Sequence, residues 1–187
     1  SPLVMDEENS APLQSCAMVS TESMTREDPG KVSAWMMEVS MVGVGIGFDL
    51  RGAQRDFTVR APEGIPVVYR VPDTREGWAE SLRLLVNSHL VANKAPVEFD
   101  YSDVRPAGAP IKRFGGTASG PEPLRKLHET VRAILARRVG SKFTVTDIAD
   151  IGNLIGVCVV AGNVRRSAEL MLGDLHDEEF LGLKDYT

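Results

Sequence analysis

The two thiols, Cys16 and Cys158, are the most chemically versatile side chains in the 187-residue chain. Two cysteines are too few for a disulfide scaffold and fit a reducing setting. Cys16 lies in the short apolar run SCAMVS, and by residue type alone a buried cysteine there reads as an inert small hydrophobe. Cys158 lies within an apolar helical pattern and reads the same way. Gly43, Gly45 and Gly47 are spaced G-x-G-x-G, which differs from the G-x-G-x-x-G of dinucleotide folds. Such glycines serve either tight backbone packing or the wall of a nucleotide pocket, with Arg51 and Arg55 in reach of phosphates. Arg165 and Arg166, in AGNVRRSAE, could hold phosphate or stack on a base, because guanidinium is flat and always charged. They could equally form a salt-bridged strand edge. His89, His128 and His176 lack the spacing of a metal site, and no metal is expected. Neither a P-loop nor G-x-S-x-G occurs.

Composition narrows the field. An apolar fraction of 43% and a charged fraction of 25% are ordinary for a globular domain. The net charge of −5 argues against broad nucleic-acid binding, although 21 Lys and Arg leave room for a local nucleotide pocket. No run of 18 apolar residues occurs, so no membrane span is expected. The opening SPLVMDEENS is acidic and lacks the basic start of a secretory signal, which with the cysteine count points to the cytoplasm. The chain starts without Met and stops at KDYT, and both ends are expected to be cuts through a longer protein.

The elements that must hold these residues alternate in type. Residues 1–14 read as extended, and Ser15–Ser20 as a buried strand. A helix is expected over Lys31–Met41, with Val32, Trp35, Met36 and Val39 on its apolar face. GVGIGFD reads as a strand, 51–64 as a loop and 65–71 as a strand. A helix capped by Asp73 or Thr74 runs to Val91 on Trp78, Leu82, Leu85 and Val86. A strand at 96–101 and a long ordered loop at 102–120 follow. Helices are expected over 121–138 and 144–160, the second burying Ile148, Ile151, Ile155 and Val159. A strand near 164–172 and a helix at 176–183 close the chain. This alternation predicts an α/β fold with partly parallel pairing.

Five segments in order, SCAMVSTESM, GVGIGFDLRG, VPDTREGW, FDYSDVRPAGAPIKRFGGTASGPEPL and TDIADIGNLIGVCVVAGNVRRSAELMLGD, resemble the adenosylcobalamin-dependent (class II) ribonucleotide reductases. The likeness is strongest to the monomeric ribonucleoside-triphosphate branch and runs from about Ser15 to Lys184. It implies an α/β fold, the N-terminal part of a ten-stranded α/β barrel, carrying an inserted α+β effector-site subdomain. Residues 1–54 and 141–187 would be barrel segments and 55–140 the insertion.

The family's reaction replaces the ribose 2′-hydroxyl with hydrogen through a thiyl radical generated with adenosylcobalamin, and a cysteine pair supplies the electrons. The resemblance implies that Cys16 is the first of that pair, with its partner downstream of this chain. Ser15 would lie near the substrate. GVGIGFDLRG would be the first specificity loop and its lead-in strand, with Gly45, Gly47, Asp49 and Arg51 on the effector side. AGNVRRSA would be the second, placing Asn163, Arg165, Arg166 and Ser167 at the substrate. Implied partners are a ribonucleotide, a dNTP or ATP effector and a thioredoxin-like reductant. The residues that bind adenosylcobalamin and perform the radical step are absent, so this chain alone would be inactive. Two alternatives remain: a non-catalytic deoxynucleotide-binding module, and a piece of a metal-dependent class I reductase.

Overall fold

A computed structural model of the chain describes residues 15–111, 116–161 and 168–183. Three strands, β1 (Cys16–Val19), β2 (Gly45–Asp49) and β5 (Glu169–Leu172), form one sheet in the order β1-β2-β5, both pairings parallel. Strands β3 (Val67–Arg70) and β4 (Val97–Asp100) form a separate parallel pair. The expected α/β class with parallel pairing therefore holds. The strand expected from residue 164 is described from Glu169 onward, and the extended reading of 1–14 lies outside the described residues.

Four helices carry the core: α1 (Lys31–Met41), α2 (Arg75–Leu90), α3 (Glu122–Arg137) and α4 (Val145–Val160). They pack in a ring, α1 on α2, α2 on α3, α3 on α4 and α4 on α1. A fifth, α5 (Glu178–Gly182), rests on α4. Helices α1 and α4 also lie on one face of the three-stranded sheet. The central strand presses Ile46 and Phe48 into them, 2% and 0% exposed. Gly152 of α4 makes this possible, since a Cβ there would sit 2.4 Å from the Phe48 ring. Strand β1 forms where expected but is not buried: Ala17 and Val19 face the helices, while Cys16 and Met18 point outward. The reason is positional, because among the described residues β1 has one neighbouring strand and one covered face.

The helix termini follow their local chemistry. Thr74 caps α2 by accepting the Gly77 N–H at 3.0 Å. At α4 the Asp147 carboxylate accepts the Thr144 N–H and the Arg138 guanidinium, both at 2.9 Å. In α1 the deeply buried positions are Val32, Met36, Met37 and Met41, whereas Trp35 and Val39 are only partly buried. The helix touches the sheet, α2 and α4 at once, so its buried arc is displaced from the face expected from periodicity. The expected loop 51–64 opens with a 3-10 turn over Arg51–Arg55. In β3, Val67 and Val68 are 57% and 64% exposed.

The stretch between β2 and α4 leaves and returns at one place. Val59 N–H donates to Ser141 C=O, Gly140 N–H to Val59 C=O and Phe143 N–H to Phe57 C=O, each at 2.9 Å. Inside that stretch a buried polar relay joins α2, α3 and β4. The Ser81 hydroxyl donates to the Trp78 carbonyl at 2.6 Å, which leaves its oxygen to accept from His128 Nε2 at 2.8 Å. Nδ1 of His128 then accepts from the Tyr101 hydroxyl at 2.7 Å, and Phe99 stacks on the imidazole at 3.9 Å. Burial pushes the His128 pKa down from 6.5 to about 3, and the Tyr101 pKa up to about 12.

A second buried titratable group behaves oppositely. Glu169 begins β5 and packs on α4 at Gly156, where a Cβ would lie 2.3 Å from Glu169 Oε1. That oxygen is buried and makes no hydrogen bond among the described residues. Burial pushes the carboxyl pKa from 4.5 up to about 7.

Two outcomes are expected. The unfolded chain protonates His128 near 6.5 and the folded chain only near 3, so its contribution to stability is present above 6.5 and lost as pH falls toward 3. Urea unfolding at pH 7 and pH 5 should show a smaller acid loss in His128→Gln than in wild type. Glu169 runs the other way: the fold favours its protonated form, so it costs stability as pH rises from 4.5 through about 7. Glu169→Gln should therefore melt higher than wild type at pH 8, with the gap closing at pH 5. An unchanged gap would refute a protonated Glu169.

Candidate functional site

Helices cover one face of the three-stranded sheet, and three of the sequence-predicted residues, Cys16, Gly45 and Gly47, lie on the other. Cys16 is in register with Gly45, and Met18 with Gly47, across the β1–β2 pairing. The side chains of a strand alternate between faces, so Cys16, Met18, Gly45 and Gly47 share one. Met18 Cγ lies 3.5 Å from where a Gly47 Cβ would project, as this requires. On the far side of β2 the same face carries Leu170 and Leu172, 61% and 41% exposed. The glycines thus form a low floor between two walls of larger side chains. Any residue with a bulky side chain at 45 or 47 would fill it.

The two thiols differ in kind. Cys16 is free and exposed on this floor. Cys158 is free but buried in α4, where burial pushes its thiol pKa up to about 12. Thiolate is the reactive form, so Cys158 is chemically quiet near neutral pH.

The sheet brings some expected residues together and separates others. At the end where β1 starts, Gly45 N–H donates to Ser15 C=O at 3.1 Å and Ile46 N–H donates to Ala168 C=O at 2.8 Å. Ser15, Cys16, Gly45 and the first described residue after the AGNVRRS segment therefore adjoin one another. Asn163, Arg165, Arg166 and Ser167 lie outside the described residues. Asp49 and Arg51 sit at the opposite end of β2, about 13 Å or more from Gly45 at the usual rise per residue. Arg51 is exposed and pairs with Glu22 at 3.6 Å.

Asp49, expected on the effector side, is turned inward and is 8% exposed. Its Oδ1 accepts the Thr21 N–H and the Thr21 hydroxyl, both at 3.0 Å, and the Arg51 N–H at 3.2 Å. Burial alone would raise this carboxyl, but hydrogen bonds from the Ser20 and Thr21 hydroxyls and from backbone amides outweigh it and hold the pKa below the usual value. Thr21, 1% exposed, also lies within 2.9 Å of the Asp49 carbonyl and accepts the Gly52 N–H at 2.7 Å. Thr21 and Glu169 were not singled out in the sequence, where a threonine after a strand and a glutamate in one carry no distinguishing signal.

Among the described residues no helix is long and apolar enough to cross a membrane, and no group of three or more His, Cys, Asp or Glu could hold a metal ion.

Residues 50–135 match the family model of the B12-dependent ribonucleotide reductase insertion domain. An adenosylcobalamin-dependent ribonucleoside-triphosphate reductase of Euglena gracilis is 47% identical over 188 residues, covering 100% of this chain and 25% of that protein. A probable enzyme of the same name from Dictyostelium discoideum is 40% identical over 94% of this chain and 25% of its own length. One from Lactobacillus leichmannii is 49% identical over 63% of this chain and 16% of its own length. Among solved structures, a B12-dependent (class II) ribonucleotide reductase superposes with a TM-score of 0.70 at 32% identity, covering 83% of this chain and 26% of that one. The chain thus spans about a quarter of the length of the Euglena and Dictyostelium relatives. Similarity along its whole length, the insertion-domain match and the shared fold agree, and the chain belongs to the adenosylcobalamin-dependent (class II) ribonucleotide reductase family.

Proposed function

We propose that this chain is a segment of an adenosylcobalamin-dependent reductase that converts ribonucleotides, in the triphosphate form, to 2′-deoxyribonucleotides in the cytoplasm. The observation that carries the reading is the 47% identity to such an enzyme over the entire chain. Exposure of Cys16 on the open sheet face supports a redox role for that thiol. Cys16 and a second thiol outside this chain would be oxidised to a disulfide, giving up two hydrogens. The ribose 2′-hydroxyl would leave as water and its carbon would gain a hydrogen. A thioredoxin-like reductant would restore the dithiol.

The remaining roles follow the same reading. Ser15 stands beside the Cys16 floor, and Asn163, Arg165, Arg166 and Ser167 would contact substrate from the segment that leads into β5. Gly45, Gly47 and Arg51 would serve the effector loop, with a dNTP or ATP as effector. An effector that prefers one loop arrangement favours the base which that arrangement accepts. Residues 1–54 and 141–187 would be parts of a ten-stranded barrel and 55–140 its insertion. The exit at Phe57–Val59 and return at Gly140–Phe143 support that division. No residue of this chain is assigned to adenosylcobalamin, whose contribution in the longer protein is the generation of the thiyl radical.

The test is reduction of CTP and ATP by a full-length protein carrying this segment, with and without adenosylcobalamin. Cobalamin-dependent turnover is expected, and Cys16→Ser should abolish sustained turnover with a thioredoxin-type reductant. Turnover without cobalamin would assign the protein to another reductase class. Full activity in Cys16→Ser would return Cys16 to a packing role.

A further inference from the structure

The buried contact between Thr21 and Asp49 lies where two strands end. Thr21 follows β1, the strand of Cys16, and Asp49 is the last residue of β2. One threonine engages both sides of the junction. Its N–H donates to the Asp49 carboxylate at 3.0 Å, and its hydroxyl stands within hydrogen-bond distance of the Asp49 carbonyl and carboxylate, at 2.9 Å and 3.0 Å. The hydroxyl oxygen accepts the Gly52 N–H at 2.7 Å. The same carboxylate accepts the Arg51 N–H at 3.2 Å. Two residues, 1% and 8% exposed, therefore satisfy the backbone donors at the start of the 3-10 turn Arg51–Arg55 and fasten it to the end of β1.

Strand β1 needs such a fastening. It has four residues and, among the described residues, pairs with β2 alone, while its outward side chains Cys16 and Met18 are exposed. Short edge strands held only by their own ladder open readily. At the other end the bond from Gly45 N–H to Ser15 C=O at 3.1 Å holds it. Breaking the Thr21–Asp49 contact removes one of the two end anchors and leaves the Gly52 N–H and a carboxylate in the interior short of partners, an arrangement disfavoured in proteins.

We propose that Thr21 and Asp49 are positioning residues that lock the turn after β2 to the Cys16 strand, so that the presentation of the Cys16 thiol depends on that turn. This rests on the proposed reductase reading for its functional meaning, in which Cys16 is the reducing thiol and the turn belongs to the effector loop. It also reassigns Asp49, whose carboxylate is already occupied by Thr21 and the Arg51 amide, from effector contact to positioning.

The chain supplies its own internal control. Cys16 is exposed and Cys158 is buried, so a thiol reagent such as DTNB should modify the first and spare the second in the folded chain. The measurement is the rate of Cys16 modification in the 187-residue chain, without nucleotide, for wild type, Thr21→Val, Thr21→Ser and Asp49→Ala. Thr21→Val and Asp49→Ala each remove more than one hydrogen bond and should change the Cys16 rate by at least about fivefold, the population change for loss of a single buried hydrogen bond. Thr21→Ser keeps the hydroxyl and should restore the wild-type rate. Cys158 should stay protected throughout. An unaltered Cys16 rate in Thr21→Val would overturn the proposal, as would a rise in Cys158 labelling in parallel with Cys16, which would mark loss of the whole fold. The comparison uses no nucleotide, so a full-length protein without cobalamin-dependent reduction would refute the functional reading without touching this result.

Discussion

The organisation of this segment depends on a parallel sheet that, among the described residues, helices cover on one side only. Parallel strands normally carry helices on both faces, because their side chains are apolar in both directions. Here α1 and α4 cover one face, and the fit is close enough that Phe48 occupies the place of a side chain at Gly152. The opposite face keeps Cys16, Met18, Leu170 and Leu172 in the open, with a floor of Gly45 and Gly47 between them. The exposed thiol, Cys16, lies on that second face. The cysteine left inside the helical layer, Cys158, is held in its inert form by the same burial that stabilises the core.

The segment between β2 and α4 extends the helical layer rather than the sheet. By leaving and returning through the 57–59 and 140–143 strands of backbone it spends three hydrogen bonds on one narrow neck. Helices α2 and α3 then close a ring with α1 and α4, so the inserted part and the sheet-bearing part share a continuous core. The interior of that ring is not wholly apolar. Ser81, His128 and Tyr101 satisfy one another in a fixed order, which sets His128 as the neutral tautomer protonated at Nε2. Buried polar groups that are fully paired specify one arrangement of the elements that bear them. Glu169 is the contrasting case, a carboxyl held against a helix with one oxygen unpaired among the described residues.

The positions of polar groups also separate two ends of the sheet. The end bearing Ser15, Cys16 and Ala168 is joined by backbone hydrogen bonds and presents a thiol. The other end is joined by side chains, Thr21 and Asp49, and leads directly into an exposed basic turn. A single five-residue strand, β2, spans both.

Much of this was legible in the chain itself. Periodicity and capping residues located α1 to α4, because Thr74 and the Thr144–Asp147 pair act within one turn of their own positions. The glycine spacing of GVGIGFD marked a strand that another backbone or a ligand can approach closely, and ordered motifs identified the family. Tertiary structure decided what depends on neighbours distant in sequence. It turned the SCAMVS strand outward, because burial of a strand is set by what lies over it and not by its own apolarity. It turned Asp49 inward, because Thr21, 28 residues away, offers donors there. It made Gly152 and Gly156 contact points for Phe48 and Glu169, pairings that leave no trace in local sequence. Short-range hydrogen bonding fixes elements, whereas the fate of a polar or reactive side chain is settled only when the surfaces on either side of it meet.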